Sequence, residues 1–418
     1  MSEMTLSEEL QWRGSFHQTT FKDLSAIDGE PMTFYFGVDP SAASMTIGNL
    51  AAAMLIRRFI DRGHRAILLV GGATGLIGDP DGKAQERDLK SVEEVAKNKA
   101  GVVAQYQRIF DGKSFEIVDN YDWFKDMGYL EFLRDVGKHV PMRQMLSRDF
   151  VQSRLGEDGA GISYAEFSYS LIQGYDFLHL NREKSASLQL CGSDQWGNCI
   201  AGVELIRRIT GKEAHILSMP LVINQATGVK FGKTEGGAIW LDPNLTSPTQ
   251  FYQFWITCDD GGAEDYLKIY TLLDKEEIAA IMAQHREDPR QRIAQTRLAQ
   301  EVTKLVHGEQ ELAIAEQVTN VLTNKTPIGD VDSTVIESVR KEIAATTAKP
   351  GDAIIDVLEQ AGLTTSKSEA RRLLQGNAIA INGVKVTRET FEEADFQNGR
   401  LLLRKGKAFK DSALIEQN

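Results

Sequence analysis

The chain has 418 residues, of which 42% are hydrophobic and 25% charged, values typical of a globular protein with two or three domains. A net charge of −12 argues against a surface that coats nucleic acid generally, so RNA contacts would have to come from local basic patches. The three cysteines lack Cys-x-x-Cys spacing, no apolar run reaches membrane-spanning length and the N-terminus lacks a signal-peptide pattern, so we expect a cytoplasmic protein without structural zinc.

The first informative stretch is residues 34–60, where an apolar, aromatic run ends in a turn and continues into a strong helix pattern. The turn contains Gly37 and Asp39, small and turn-forming residues that allow a ligand to approach the backbone. A strand, a glycine turn and a helix N-terminus together favour an anion site, because free N–H groups and the helix dipole point at the ligand. An ordinary capped helix is the alternative. Side-chain donors follow in the same turn: Ser41, Ser44, Thr46 and Asn49.

A second strand is predicted at residues 65–70, followed by a glycine-rich loop that ends at Asp79. Ligands of open α/β sheets bind beyond the carboxyl ends of strands, so both loops should face one crevice. The glycines lack Gly-x-Gly-x-x-Gly spacing, which excludes a dinucleotide site. Asp79 is interpreted either as a helix cap or as a ligand for an ammonium group. Lys83 and Arg87 suit either a solvated surface or a mobile loop that closes on pyrophosphate.

Another αβ unit is predicted at residues 91–118, and residues 129–156 have an interrupted helical pattern. The next helix, 162–178, is mostly apolar but carries Tyr169, Gln173 and Asp176 on one face. Buried polar groups need partners, so this face is either a satisfied core network or a pocket for a small polar, aromatic ligand.

Two further turns complete the predicted crevice. Residues 188–198 are predicted to form a strand that ends in a polar glycine turn. Asp194 is well placed for ribose hydroxyls, because it follows the carboxyl end of the strand. Gln189 and Gln195 are placed to contact the amino-acid end of a ligand. After a strand at 216–223, Lys230 and Lys233 flank a glycine, which is typical of either an exposed loop or a flexible cationic loop.

The remaining chain divides into a helical stretch and a smaller basic module. Residues 246–324 are predicted to be helical, and 350–418 to contain a helix and an Asn-Gly hairpin. A basic patch in an acidic chain suits RNA phosphates, although a solvated helix face is the alternative. Its residues are Lys367, Arg371, Arg372 and Lys385, with Arg404, Lys405, Lys407 and Lys410 in the tail.

Together these motifs resemble the class I aminoacyl-tRNA synthetases of the bacterial tyrosyl type, which end in an S4 domain. The run from Tyr35 to Ser41, with Thr46-Ile47-Gly48-Asn49, is similar to the first class I signature, usually His-Ile-Gly-His. Gly-Ser-Asp-Gln-Trp-Gly-Asn at 192–198 and Lys-Phe-Gly-Lys-Thr at 230–234 are similar to later family motifs. Thr46 departs from the family pattern. The resemblance extends from about Trp12 to the tail.

This resemblance implies a class I Rossmann-like α/β domain over 1–235, an α-helical domain over 236–325, a linker over 326–349 and a small α+β S4 domain over 350–418. It implies activation of L-tyrosine with ATP, accompanied by Mg²⁺, and transfer of the tyrosyl group to the 3′ end of tRNA(Tyr). It also implies a homodimer.

The resemblance further implies roles for individual residues. Tyrosine would contact Tyr35 and Asp176 through its hydroxyl, Asp79, Tyr169 and Gln173 through its amino group, and Gln195. ATP would contact Gly37, Asp39, Ser41, Gly48, Gly192, Asp194 and Lys233. Catalysis at the phosphates would involve Thr46, Asn49, Lys83, Arg87, Lys230, Lys233 and Thr234. RNA would contact Lys367, Arg371, Arg372 and Lys385.

Two alternative functions are consistent with parts of the sequence. A paralogue that binds RNA but has lost its chemistry is suggested by Thr46, and is opposed by the intact lysine loop and pocket. A tryptophanyl enzyme would share the fold, but Tyr35 and Asp176 suit a hydroxyl group, which indole lacks.

Overall fold

The computed structural model of the chain describes residues 4–80, 90–146, 149–156, 161–224, 227–229, 231–234, 237–406 and 411–418. It contains two compact units, Met1–Leu245 with Cys258–Leu298, and Thr246–Thr257 with Ala299–Asn418. Within the described ranges, no helix is long and apolar enough to cross a membrane.

Thirteen strands occur in the described residues. They are β1 (Gln18–Thr19), β2 (Thr33–Val38), β3 (Arg65–Val70), β4 (Phe115–Val118), β5 (Leu188–Gly192), β6 (His215–Met219), β7 (Lys233–Thr234), β8 (Gly237–Ala238), β9 (Ala344–Ala348), β10 (Ile379–Ile381), β11 (Val384–Val386), β12 (Arg400–Lys405) and β13 (Ser412–Gln417).

The helices of the described residues are α1 (Leu6–Trp12), α2 (Ile47–Asp61), α3 (Gly72–Ile77), α4 (Val92–Ile109), α5 (Tyr121–Phe124), α6 (Tyr129–Asp135), α7 (Met142–Leu146), α8 (Asp149–Leu155), α9 (Tyr164–Lys184), α10 (Trp196–Thr210), α11 (Pro248–Ile256), α12 (Ala263–Tyr270), α13 (Lys275–Glu287), α14 (Ile293–His307), α15 (Glu309–Leu322), α16 (Ser333–Glu342), α17 (Ile354–Gln360) and α18 (Lys367–Gln375). Short 3-10 turns lie at Leu24–Asp28, Gly137–His139, Ser193–Gln195, Pro289–Gln291, Ile328–Asp330 and Glu393–Asp395.

The first unit is built on a six-stranded sheet in the order β1-β6-β5-β2-β3-β4, in which only the β1 edge is antiparallel. Strand β3 is an apolar run after Arg65, and both β3 and β5 are almost fully buried, as expected for central parallel strands. The chain turns outward in opposite directions from β2 and β5, which creates a switch point between these neighbours. Ligands of such sheets bind beyond the carboxyl ends of the strands at this point. The expected α/β fold is confirmed.

The second unit contains a five-stranded sheet in the order β11-β10-β12-β13-β9. The turn between β10 and β11 contains Asn382 and Gly383 with φ angles of +48° and +83°. Both positions require the left-handed region in a type I′ hairpin, so the Asn-Gly pair explains this turn. A core of apolar side chains from α17, α18 and the sheet holds the module together.

Residues 326–349, expected to be a linker, contain α16 and β9. Asp332 caps α16 by accepting from the Val335 N–H at 3.0 Å, and the helix buries Val335, Ile336 and Val339. Strand β9 pairs in parallel with β13 at the edge of the five-stranded sheet. This stretch is therefore part of the second compact unit.

The helical stretch after residue 246 is more divided than its pattern indicated. Within it, residues 263–287 form two helices, α12 and α13, because Asp274 starts a new helix by accepting from the Glu277 N–H at 2.8 Å. Helices α12 and α13 belong to the first compact unit, whereas α11 and α15 belong to the second.

Candidate active site

A cleft of about 430 Å³ lies in the first unit, at the carboxyl ends of β2 and β5. The N-terminal end of α2 and the inner face of α9 also line it. Because the parallel strands end at the same edge, turns that are distant in sequence meet here. The lining includes Tyr35, Gly37, Asp39, Ser41, Thr46, Gly48, Asn49, Asp79, Tyr169, Gln173, Asp176, Gln189, Gly192, Asp194 and Gln195, all of which the sequence indicated.

Asp176 lies deep in the cleft and is only 2% exposed. Its Oδ2 accepts from Asn120 Nδ2 at 3.1 Å, and its Oδ1 accepts from the Trp123 indole N–H at 2.9 Å. Burial raises the pKa of this carboxyl well above its usual range, although the two hydrogen bonds act in the opposite direction. The two donors fix the carboxyl plane, so its remaining lone pairs have a defined direction.

Tyr35 stands beside Asp176 with its hydroxyl buried. Its side chain is 1% exposed, and its ring contacts Phe177 with centroids 5.1 Å apart. Burial raises the pKa of Tyr35 well above that of a free phenol, and the neighbouring Cys199 and Asp176 raise it further. The hydroxyl has no hydrogen-bond partner among the described residues. A buried hydroxyl without a partner is costly, so a ligand group that fills this place satisfies it.

Two glutamine side chains present further buried oxygens. Gln173 Oε1 and Gln189 Oε1 line the cleft and have no partner in the part of the chain that the structure describes. The Gln173 amide group makes a long contact of 3.8 Å from Nε2 to Cys199 Sγ. Amide oxygens accept hydrogen bonds, so this part of the cleft suits a ligand that donates several.

Two further carboxylates of the cleft, Asp79 and Asp39, accept hydrogen bonds from neighbouring side chains. Asp79 Oδ2 accepts from Gln195 Nε2 at 2.5 Å, and Asp79 Oδ1 accepts from Asn198 Nδ2 at 3.5 Å. The Tyr169 hydroxyl donates to Asp39 Oδ2 at 2.6 Å. Burial raises the pKa of Tyr169 well above its usual value, and the charges of Asp39 and Asp79 add to this effect. Tyr169 therefore keeps its proton, and its oxygen lone pairs are available to accept from an ammonium group.

Thr46 and Asn49 are hydrogen-bonded to each other at the start of α2. Asn49 Oδ1 accepts from the Thr46 N–H at 2.9 Å and from the Thr46 hydroxyl at 3.0 Å. Because a backbone N–H faces the amide oxygen, the amide NH₂ of Asn49 must point elsewhere. Asn49 also lines the cleft. The Thr46 hydroxyl is thus engaged locally, and Asn49 is the better placed of the two to donate to a ligand.

The described lining of the cleft is acidic. It includes four aspartates, and it contains no Lys, Arg or His from the residues that the structure describes. The expected cations Lys83, Arg87 and Lys230 lie outside the described residues. Lys233 and Thr234 form β7, which pairs with β8, but their side chains lie outside the description. In the described ranges, no group of three or more His, Cys, Asp or Glu is arranged to hold a metal.

The expected RNA-binding residues lie in the second unit. Lys367, Arg371 and Arg372 of α18 and Lys385 of β11 are exposed, and Lys367 Nζ lies 2.9 Å from Asp356 Oδ1.

Part of the expected basic tail faces inward. Arg404 is partly buried, donates to Ser412 Oγ at 3.0 Å and also donates to the Leu322 carbonyl. Its inclusion in an exposed basic patch was wrong, because its guanidinium caps internal acceptors. Lys405 Nζ lies 3.7 Å from Glu369 Oε1, and Lys407 and Lys410 lie outside the described residues.

Three side chains of the site were missed from the sequence. Asn120 and Trp123 act on Asp176, and Asn198 acts on Asp79. Asn120 and Trp123 follow β4, so the rule that ligand groups follow the carboxyl ends of parallel strands would have pointed to them.

Comparisons with known proteins give consistent results along the chain. A family model for class I tRNA synthetases (W and Y) matches residues 28–323, and a model for the tyrosine–tRNA ligase SYY-like C-terminal domain matches residues 335–410. A tyrosine–tRNA ligase of Bacteroides fragilis is 42% identical over 422 residues, covering 97% of this chain and 98% of the relative. One from Bacillus caldotenax is 46% identical over 391 residues, covering 92% of each.

A solved structure is also similar. A C-terminally truncated mitochondrial tyrosyl-tRNA synthetase of Aspergillus nidulans has a TM-score of 0.69 and 29% sequence identity. The match covers 76% of this chain and 94% of that structure. The family models, the relatives and the solved structure therefore all indicate the same family.

Proposed function

The chain belongs to the class I tRNA synthetases, within them to the tyrosine–tRNA ligases, and we propose from this and from the cleft how it selects and activates its substrate. The enzyme joins L-tyrosine to tRNA(Tyr) in two steps. The tyrosine carboxylate attacks the α-phosphorus of ATP, and pyrophosphate leaves as tyrosyl-adenylate forms. A ribose hydroxyl at the 3′ end of the tRNA then attacks the tyrosyl carbonyl, and AMP leaves. Both steps depend on positioning and on charge stabilisation.

The hydroxyl of tyrosine binds between Tyr35 and Asp176. The observation that carries this proposal is the buried Tyr35 hydroxyl, which has no partner among the described residues and stands beside a carboxyl oriented by Asn120 and Trp123. A phenolic O–H both donates and accepts, so it satisfies the two groups together. Phenylalanine would leave both unsatisfied in a buried place, which is unfavourable.

The amino group of tyrosine binds at the other side of the same pocket. Asp79 supplies a charge, while Tyr169 and Gln173 supply oxygen acceptors. An ammonium group has three donors and no acceptor, which matches this set. Gln195 acts on Asp79 at 2.5 Å and so orients the carboxylate toward the ligand.

ATP occupies the part of the cleft near the α2 N-terminus and the end of β5. Asp194 suits the ribose hydroxyls, and Gly37, Asp39, Ser41, Gly48 and Gly192 form the adjacent lining. The aspartates there would repel triphosphate, so binding needs cations from elsewhere. Lys83, Arg87, Lys230 and Lys233 supply them, Thr234 adds a hydroxyl, and Mg²⁺ enters with the phosphates, since this ion is usually held by phosphate and water oxygens.

A ligand series tests the tyrosine pocket directly. We expect phenylalanine, which lacks the hydroxyl, and desaminotyrosine, which lacks the amino group, each to bind at least about tenfold more weakly than tyrosine in equilibrium dialysis. Asp79→Ala should reduce the preference for tyrosine over desaminotyrosine and leave the preference over phenylalanine unchanged. Equal binding of tyrosine and desaminotyrosine by the unmodified protein would contradict the proposed amino-group site.

Thr46 in place of the usual His is expected to weaken phosphate binding only modestly, because the basic residues compensate. Thr46→His should therefore give a rate of adenylate formation equal to or up to about threefold above that of the unmodified enzyme. Asn49→Ala, measured alongside, should lower that rate about tenfold or more, because it removes an amide donor at the start of α2. A collapse of activity in Thr46→His would rule out compensation.

RNA contacts are proposed for the second unit. Lys367, Arg371, Arg372 and Lys385 are exposed on the C-terminal module, which is the geometry that phosphate contacts require. Such contacts weaken with salt, so tRNA binding should fall as the salt concentration rises. The place of this reaction is the cytoplasm.

We also propose a homodimer that forms through the region of residues 129–156, together with Tyr164. This segment exposes several large apolar side chains, which in soluble proteins commonly mark an interface. They are Tyr129 (61% exposed), Leu130 (80%), Met142 (57%), Leu155 (51%) and Tyr164 (63%).

Leu130→Asp should shift the protein from dimer to monomer in sedimentation equilibrium, with the dimer dissociation constant raised about tenfold or more. A charge cannot be buried in an apolar interface without a partner. The matched control is Val384→Asp, since Val384 is 68% exposed on the second unit and should leave the mass unchanged. An unchanged mass for Leu130→Asp would exclude this interface.

A further inference from the structure

Phe231, which lies between Lys230 and Lys233, packs against an aromatic ring of α12. Its ring stacks on Tyr266 with centroids 4.1 Å apart and an interplanar angle of 24°. Both side chains are buried, with 6% exposure for Phe231 and 1% for Tyr266. Phe231 directly follows Lys230 and precedes Lys233 by two residues. A fixed Phe231 therefore limits where the flanking backbone can lie.

The Tyr266 ring is itself held from two sides. Its hydroxyl donates to Asp259 Oδ2 at 3.2 Å, and the other oxygen of Asp259 accepts from the Gly262 N–H at 2.6 Å. A Cβ atom at position 262 would lie 2.5 Å from two atoms of the Tyr266 ring, so only glycine leaves room for it there. The ring thus has one position in which it can meet Phe231.

The segment that contains Phe231 also packs against α2, whose first turn lines the cleft. Gly232 has a φ of +88°, and a Cβ atom there would collide with Ile47 of α2. The Ile239 N–H donates to the Gly232 carbonyl at 3.0 Å, and the Ile47 N–H donates to the Ile239 carbonyl at 3.2 Å.

A buried arginine joins α2 to α12 farther along. Arg58 Nη2 lies within 3.0–3.2 Å of the carbonyls of Lys268, Ile269 and Thr271, at the end of α12. Lys268 and Ile269 lie in the last turn of α12 and Thr271 caps it, so their carbonyls have no partner within the helix. Phe231, Tyr266 and the start of α2 are consequently connected by packing contacts and hydrogen bonds.

We propose that Tyr266 is a positioning residue for the adenylation step. By stacking on Phe231, it fixes the position of the loop that contains Lys230 and Lys233 relative to the first turn of α2. This inference rests on the proposed role of Lys230 and Lys233 at the phosphates. Phe231 lines the cleft and Tyr266 does not, so Tyr266 acts through Phe231. Small displacements of a charged group in the transition state have large effects on rate, so the stack contributes to the chemical step and not to tyrosine binding.

The test compares Tyr266→Leu, which removes the stack, with Tyr266→Phe, which keeps the ring and loses only the hydroxyl. Single-turnover formation of tyrosyl-adenylate should be about tenfold slower or more in Tyr266→Leu and within about threefold of the unmodified rate in Tyr266→Phe. The dissociation constant for tyrosine, measured by equilibrium dialysis, should stay within about twofold in both. Equal rates for the Leu and Phe variants, or a parallel loss of tyrosine binding, would overturn the proposal.

Gly262→Ala provides a second variant that does not empty the core. The added methyl displaces the Tyr266 ring, so the same selective loss of adenylation rate is expected, with tyrosine binding retained. If Tyr266→Leu fails to fold, this variant decides the question, and an unchanged rate in Gly262→Ala overturns the proposal.

Lys233→Ala, measured in parallel, separates this inference from the function on which it rests. A slow Lys233→Ala enzyme with an unaffected Tyr266→Leu enzyme would reject the positioning role and keep the loop's role at the phosphates. An unaffected Lys233→Ala enzyme would reject the role of that lysine itself.

Discussion

Lys233→Ala is expected to slow the formation of tyrosyl-adenylate by about 10²–10³-fold while the dissociation constant for tyrosine stays within about twofold. The physical reason is the charge of the cleft. Four aspartates line it, and its described lining offers no basic side chain to the phosphates. Negative charge that develops on the leaving pyrophosphate therefore depends on the basic loops. The single-turnover rate with saturating tyrosine and ATP measures the effect.

Lys385→Ala is the matched control for this prediction. It removes the same charge from an exposed position on β11 in the second unit. Adenylate formation does not involve tRNA, so its rate should be unchanged in this variant. A Lys233→Ala rate within about threefold of the unmodified enzyme would show that the transition state does not use this lysine.

Asp176→Asn is expected to lower the preference for tyrosine over phenylalanine by about 100-fold, through a loss in kcat/KM for tyrosine. The Asn120 amide and the Trp123 indole both donate to Asp176, so one of them would face an NH₂ group in the variant. The pocket would then lose an acceptor for the ligand hydroxyl. It would also lose one of the two hydrogen bonds that orient the side chain at position 176. Lost hydrogen bonds to charged groups and unsatisfied donors each contribute about 1–3 kcal/mol, which together correspond to this factor.

Tyr35→Phe is the companion variant because it removes only a neutral hydroxyl from the same pocket. Its preference for tyrosine should fall by about tenfold, less than in Asp176→Asn. Pyrophosphate exchange at varied concentrations of each amino acid gives both values of kcat/KM. Unchanged selectivity in Asp176→Asn would place the recognition of the hydroxyl elsewhere.

Much of the cleft follows from local sequence pattern. The continuous apolar run of β3 predicts a central strand, because such a run is favourable only where both faces of the strand are buried. Tyr169, Gln173 and Asp176 share a face of α9 because their spacing follows the helical period, and the structure places all three on the cleft. The polar turns after the strands meet for a topological reason, which is the common edge of a parallel sheet.

The position of Asn120 and Trp123 after a strand can be recognised in the sequence, but their pairing with Asp176 cannot. Asn120 and Trp123 reach Asp176 across more than fifty residues of chain, and this meeting requires the order of strands in the sheet. Similarly, the bond from Tyr169 to Asp39 joins residues on α9 and after β2.

The sequence also does not show which basic residues are exposed to solvent. Arg404 and Lys385 are both predicted in the basic patch, yet Arg404 donates to Ser412 and the Leu322 carbonyl, whereas Lys385 is exposed. The sequence predicts a linker over 326–349, but strand β9, which consists of Ala and Thr residues, lies there. Its pairing partner β13 lies near the end of the chain, so no local pattern contains the pairing that places this strand in the sheet.

The most direct test of the proposed chemistry is exchange of labelled pyrophosphate into ATP by the purified protein, with tyrosine, phenylalanine and tryptophan supplied one at a time. Exchange requires reversible formation of the aminoacyl-adenylate and no tRNA. We expect exchange with tyrosine and at most trace exchange with the other two, because only tyrosine satisfies Tyr35 and Asp176. Absence of exchange with every amino acid, from protein shown to be folded, would contradict the adenylation chemistry, and comparable exchange with phenylalanine would contradict the assignment of the pocket.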